Sequence, residues 1–211
     1  MKTRNTLLIT GLLCGIALSG CASFQVAGDI QQGRFKLMSG NSKAALAHFE
    51  RAAEIQPDYL FNYFMLSQGV WTYVGRAHYD SKNFAEARQA LEKARARYGQ
   101  DHLAKIYLGL VLGRSGDQKK GLTELEAGMT GLRDWLNYIH YSTLEGIYWD
   151  PAMEIRSEID RDLTMIAGGN VNWEALTSSA EWIGHKTEVE VDLAKRDAYE
   201  DRVRDSENNF N

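Results

Sequence analysis

The chain has 211 residues, with 24 lysines and arginines against 28 aspartates and glutamates, a formal net charge of −4 at pH 7. That balance argues against a nucleic-acid binder and against attraction to anionic lipid headgroups. The length suits one domain with a real core or a short repeat array with an extension, and the mixed charge and only two prolines, Pro57 and Pro151, are ordinary for a globular chain.

Lys2 and Arg4 precede an apolar run from Leu7 to Leu18, and small residues follow it. This is the layout of a secretory signal over residues 1–20. The run is shorter than the about 18 apolar residues that a spanning helix needs. Leu18-Ser19-Gly20-Cys21 resembles the lipobox of bacterial lipoproteins. The resemblance implies cleavage before Cys21 and acylation of both its thiol and its new amino group, and two or more acyl chains make anchoring durable. It also implies that Cys14 leaves with the signal, so the mature domain holds no free thiol, disulfide or cysteine-based zinc site. Losing Lys2 and Arg4 takes the formal charge to about −6. In that family an Asp after the cysteine favours the inner membrane of Gram-negative bacteria. Ala22 stands there, which implies the periplasmic face of the outer membrane.

From Phe24 to Met38, residues Val26, Ile30, Gly33 and Leu37 fall on one face of a helix. An extended tether from residue 21 to 26 reaches at most about 18 Å, so the domain is expected close to the membrane. Ser39-Gly40-Asn41-Ser42 reads as a turn with a cap. The next helix carries Ala45, Leu46, Phe49, Ala52 and Ala53, and Pro57 stops it.

This pair has copies. Gly33, Gly75 and Gly109 are followed twelve residues later by Ala45, Ala87 and Gly121, and four further on by Phe49, Leu91 and Leu125. Small residues let two helices approach, and a large apolar residue fills the gap. The 34-residue step from Gly75 to Gly109 and the Gly…Ala-x-x-x-Phe…Pro pattern resemble the tetratricopeptide (TPR) repeat. The resemblance implies an all-α fold: a short TPR-like superhelical array of about three helix pairs over residues 21–135. A helical capping extension over 136–205 and a disordered tail over 206–211 complete the expectation. Eight extra residues precede the second copy, so Asp58 to Asp80 reads as one unusually long first helix. Gly121 and Gly128, each costing roughly 1 kcal/mol of helix propensity, make the second helix of the third copy the weakest.

Leu132 to Trp149 is crowded with Trp135, Tyr138, Tyr141, Tyr148 and Trp149. These rings read either as a cap burying the open end of the array or as a stacking platform for a glycan or peptide. Asp150 and Pro151 then read as the N-cap and first residue of a helix with Ile155, Ile159, Leu163 and Ile166 on its apolar face, ended by Gly168-Gly169. Asn172 caps a last helix with Trp173, Leu176, Ala180 and Ile183 in register. Past Lys186 apolar residues thin out amid charge, the pattern of a solvated helix supported by Asp192/Arg196 and Glu200/Arg204.

No catalytic constellation stands out. The five histidines are scattered, and there is no phosphate-binding loop and no nucleophile motif, so no enzyme, metal site or cofactor is expected. The TPR resemblance implies a groove lined by the first helices: Ile30, Arg34, Leu37 and Met38, then Thr72, Arg76, Tyr79 and Asp80, then Leu103, Ile106, Leu110 and Arg114. Of these, Arg34, Arg76, Tyr79 and Arg114 are the partner-binding candidates. Arg34 and Arg76 hold the same repeat position, and a guanidinium fork suits a carboxylate. The expected function is a lipid-anchored periplasmic scaffold that holds a protein segment, by analogy with lipoproteins that assist β-barrel, pilus-secretin or polysaccharide-export assembly. The alternative is a glycan or small-ligand receptor using Trp135, Tyr138, Tyr148 and Trp149.

Overall fold

The computed structural model describes residues 22–208; the signal segment, the lipid-attachment candidate Cys21, Cys14 and the last residues 209–211 lie outside the described residues. Among the described residues the fold is all-α apart from one two-stranded hairpin. Helices α1 (22–38) and α2 (Ser42–Ile55), α3 (Val70–Asp80) and α4 (Phe84–Arg97), and α5 (His102–Arg114) and α6 (Gln118–Ser142) follow one another in chain order.

In each of these three pairs a glycine of the first helix receives a large side chain of the second, sixteen residues on. A Cβ on Gly33 would enter the ring of Phe49, one on Gly75 would lie 2.5 Å from Leu91 Cγ, and one on Gly109 2.7 Å from Leu125 Cγ. Phe49, Leu91 and Leu125 are fully buried. The turns recur as well. Gly40 (φ 77°), Lys82 (φ 62°) and Gly116 (φ 88°) occupy the left-handed region, each seven residues after its glycine. Their N–H groups return to Leu37, Tyr79 and Gly113 at 2.9–3.2 Å. Asn41 and Asp117 come next and accept from Ala44 and Lys120 as N-caps. Lys82 thus stands where the other two turns hold glycine.

The long helix expected over 58–80 is three elements, two strands and a helix. Residues Leu60–Tyr63 (β1) and Leu66–Gly69 (β2) form an antiparallel hairpin ahead of α3, with Tyr63 opposite Leu66. Its two-residue loop, Phe64-Met65, has positive φ at both positions (40° and 71°) without a glycine or asparagine. Phe64 stacks over Trp149 with centroids 6.4 Å apart, which ties the loop to the far end of the fold.

The glycines of α6 prove to be points of close approach. A Cβ on Gly121 would sit 2.8 Å from the Gly109 carbonyl, and one on Gly128 2.7 Å from Ile106 Cγ1. α6 runs unbroken to Ser142, so the boundary expected between 135 and 136 falls inside a helix. A 3-10 turn (Glu145–Tyr148) leads to α7 (Glu154–Ala167). That helix starts later than expected because Asp150 (φ 48°) and Met153 (φ 57°) are left-handed, leaving Pro151 outside it. Asp150 still caps: its carboxylate accepts from Ile155 N at 3.0 Å and Arg156 N at 3.1 Å.

α8 (Trp173–Asn208) is capped by Asn172, which accepts from Glu174 N and Ala175 N at 3.1 Å. It includes Ser206 to Asn208, so that part of the expected tail is helical. Past Lys186 one face stays buried as far as Ala198, and beyond it the helix is exposed apart from half-buried Asp201, as expected of a solvated end. Leu176, Ala180, Ile183, Thr187, Val191, Ala194 and Ala198 form one buried stripe at spacings of three and four. Among the described residues no helix is long and apolar enough to cross a membrane.

Candidate functional site

The buried stripe of α8 lies against the first helices of the pairs. Gly184 gives closest approach, since a Cβ there would meet the Tyr107 hydroxyl of α5 at 2.6 Å. One turn on, Glu188 enters the space between α1 and α3. Its Oε2 accepts from Arg34 Nε at 2.7 Å, and its Oε1 accepts from Arg76 Nη1 and from Gln68 Nε2, the last at 2.6 Å. The side chains of Arg34, Arg76 and Glu188 are 1%, 3% and 2% exposed. A carboxylate in such a place is tolerated only when paired. Burial pushes Glu188 upward, but Arg76 and Arg34 outweigh it and hold the carboxyl down at about 2. Burial also works against both guanidiniums, yet their surroundings leave each above its ordinary value. Each arginine is stacked as well, Arg34 over Tyr63 at 4.8 Å and Arg76 over Tyr107 at 4.9 Å. Arg76 Nε remains buried with no hydrogen-bond partner.

Beside this cluster opens a cavity of about 620 Å³, bounded by the ends of α1 and α3, the turns that follow them, α5 and α8. All four partner-binding candidates, Arg34, Arg76, Tyr79 and Arg114, line it, as do Leu37, Met38 and Asp80. Arg114 donates from Nε to the Tyr79 hydroxyl and from Nη2 to Glu181, both at 2.7 Å, and the Tyr79 hydroxyl also donates to Glu181. Burial first, then the bond to Glu181, keeps Tyr79 well above its ordinary value and protonated. The sequence reading missed Lys82, Glu181, His185 and Glu188, which also face the cavity. For the three on α8 the one signal was the spacing of small residues that marks a buried face, which does not single out the site residues themselves; Lys82 lies in the α3–α4 turn and carries no such signal.

Other expected groove residues are core. Ile30, Leu103, Ile106 and Leu110 are buried at 0–1% exposure, and Thr72 donates to Asp101, the buried N-cap of α5, at 2.5 Å. Arg34 and Arg76 differ most from the expectation: they line the cavity but are shielded from solvent and already hold a carboxylate supplied by α8 of the same chain, whereas Arg114 is exposed.

The aromatic candidates do not form one platform. Trp149 is fully buried and packs edge-on against Trp135 at 5.0 Å between centroids. The Tyr148 hydroxyl donates to Asp201 of α8 at 2.6 Å. Tyr138 is exposed, as is Tyr141, which packs on His140. Among the described residues no group of three or more His, Cys, Asp or Glu side chains is placed to hold a metal ion. No family model matches the chain, and no curated protein matches it.

Proposed function

We propose that the protein is a lipid-anchored periplasmic scaffold, without enzymatic activity, that holds a segment of a protein partner in the groove between its first helices and α8, in the service of an envelope assembly. The observation that carries this reading is the convergence of Arg34, Arg76, Tyr79 and Arg114, from three separate helices, on one open cavity. The recurrent glycine contacts and left-handed turns support the TPR-like reading that led to those residues. The Leu18-Ser19-Gly20-Cys21 segment supports the anchor, with Ala22 favouring the outer membrane, and residue 22, next to the lipid-attachment candidate, is already helical, which leaves little tether after it. Photo-crosslinking in cells tests it, with the crosslinker at Met38 or Lys82 on the groove and at Glu54 away from it. A discrete protein adduct from Met38 and Lys82 but not from Glu54 is expected. No adduct, or equal adducts from all three, contradicts the reading.

A further inference from the structure

Two features of the groove point beyond simple occupancy. The first is that its most specific recognition is already made within the chain: Glu188 receives three donors that come from α1, β2 and α3. The contact that delivers it is sparse in apolar bulk. Around Glu188 the buried face of α8 is built from Gly184, Thr187, Val191 and Ala194. The triad is shielded from solvent, yet Arg34, Arg76 and Glu188 all line the open cavity, so a competitor has a route to them. The second feature is Lys82. It holds a left-handed conformation that costs a side-chain-bearing residue roughly 1–2 kcal/mol and that glycine fills in the two equivalent turns. Lys82 is exposed on the cavity rim, and its side chain makes no hydrogen bond or ion pair among the described residues. A strained cation kept at the mouth of a cavity floored by two arginines fits an anionic visitor.

We propose that the segment of α8 around Glu188 is a resident occupant of the groove, and that the partner is an acidic segment that takes its place, setting one carboxylate on Arg34 and Arg76 and a second acidic group on Lys82. This rests on the scaffold reading above and names the chemistry of its partner. Glu188 is then a stand-in for the partner's carboxylate. The resident lowers the affinity of any visitor by the fraction of molecules in which the groove is free.

The test uses the intact chain and a fluorescein-labelled synthetic peptide with the sequence of residues 181–197, followed by fluorescence anisotropy. Glu188→Gln in the protein removes the resident's charge and is expected to tighten peptide binding by about tenfold or more, equivalent to about 1.4 kcal/mol. The same peptide carrying Glu188→Gln is expected to lose that gain, and Lys82→Ala in the protein to reduce it. Should Glu188→Gln fail to fold by circular dichroism, Gly184→Leu serves instead: it forces α8 from Tyr107 while leaving every groove cation in place, and the same gain is expected. Equal binding by wild type and the folded variant, or binding indifferent to the peptide's own Glu188, overturns the proposal. A partner crosslinked equally well in wild type and Glu188→Gln also overturns it while leaving the scaffold reading intact. Tighter peptide binding with no crosslinked partner in cells does the reverse.

Discussion

Glu188 and Arg34 stand 154 residues apart in the chain and 2.7 Å apart in space. Arg76 holds the other oxygen of the same carboxylate, so one acid neutralises two buried guanidiniums that the repeat pattern places in register. The two ends of the triad are therefore unequal. Glu188→Ala leaves buried Arg76 without its anion and Arg34 with only the longer ion pair to Asp192 at 3.5 Å, and is expected to cost about 3–5 kcal/mol. Arg34→Ala leaves Glu188 with Arg76 and Gln68 and is expected to cost less. Urea unfolding of both variants checks the order, and an equal or smaller loss for Glu188→Ala contradicts the pairing.

Buried Asp162 and half-buried His102 set opposing pH dependences. Burial, helped by Glu158 and only partly opposed by Ser179, raises Asp162 from 3.8 to about 6. The native state then binds more protons than the unfolded chain between those values, so stability falls as pH rises through that window. Burial, with Lys105, lowers His102 from 6.5 to about 4. The native state there binds fewer protons, so stability falls as pH drops through 6.5 to 4. The two offset each other where the windows overlap. Asp162→Asn is expected to leave a Tm that declines as pH goes from 6.5 to 4, and His102→Gln a Tm that rises as pH goes from 6 to 4. Parallel profiles for the two variants contradict the assignment. Glu188 adds to neither trend above its ordinary value of 4.5, since its contribution is lost only as pH falls from there toward about 2.

The glycines of the first helices separate close contact from helix propensity. Gly75→Ala places a methyl against Leu91 and is expected to destabilise by about 1–3 kcal/mol. Gly28 of α1 has open space around its Cβ direction, so Gly28→Ala is expected to stabilise by up to about 1 kcal/mol. Thermal unfolding of the pair reads the sign, and two changes of the same sign contradict the packing described.

Much of this was legible in the sequence, and the parts that were not share a cause. Gly33, Gly75 and Gly109 announced their partners because a glycine opposite a large side chain leaves a spacing that repeats. The hairpin was hidden because its turn is Phe64-Met65, lacking the Asn-Gly or Asp-Gly chemistry that marks such loops, and its aromatic strands read equally well as helix. The burial of α8 was hidden because Thr187, Glu188, Ala194 and Ala198 carry too little apolar surface to register as a stripe. Glu188 was unreadable as a site residue, since only the fold shows that its partners lie in α1, β2 and α3. Asp150 kept its capping role while Pro151 did not begin the helix, because the left-handed Met153 intervenes.

Lys82→Gly relieves the left-handed backbone of the α3–α4 turn and is expected to stabilise the protein by about 1 kcal/mol. It also removes the rim cation, so a gain in denaturation midpoint should accompany weaker binding of the 181–197 peptide to Glu188→Gln protein. A stabilised variant with undiminished binding shows that Lys82 serves no ligand.

The anchor has its own test. Cys21→Ser removes the acylation site implied by Leu18-Ser19-Gly20-Cys21 and is expected to move the protein from the membrane fraction to the soluble one. Retention in the membrane after a high-salt wash contradicts the lipoprotein reading.

The most direct measurement is native-state hydrogen exchange on the intact protein, comparing wild type with Glu188→Gln. If the carboxylate of Glu188 is what keeps α8 in the groove, amides of residues 187–198 exchange faster in the variant while those of α5 and of α6 up to Ser142 keep their protection. Unchanged protection along 187–198, or a uniform loss across the whole fold, contradicts a resident segment held in place by Arg34 and Arg76.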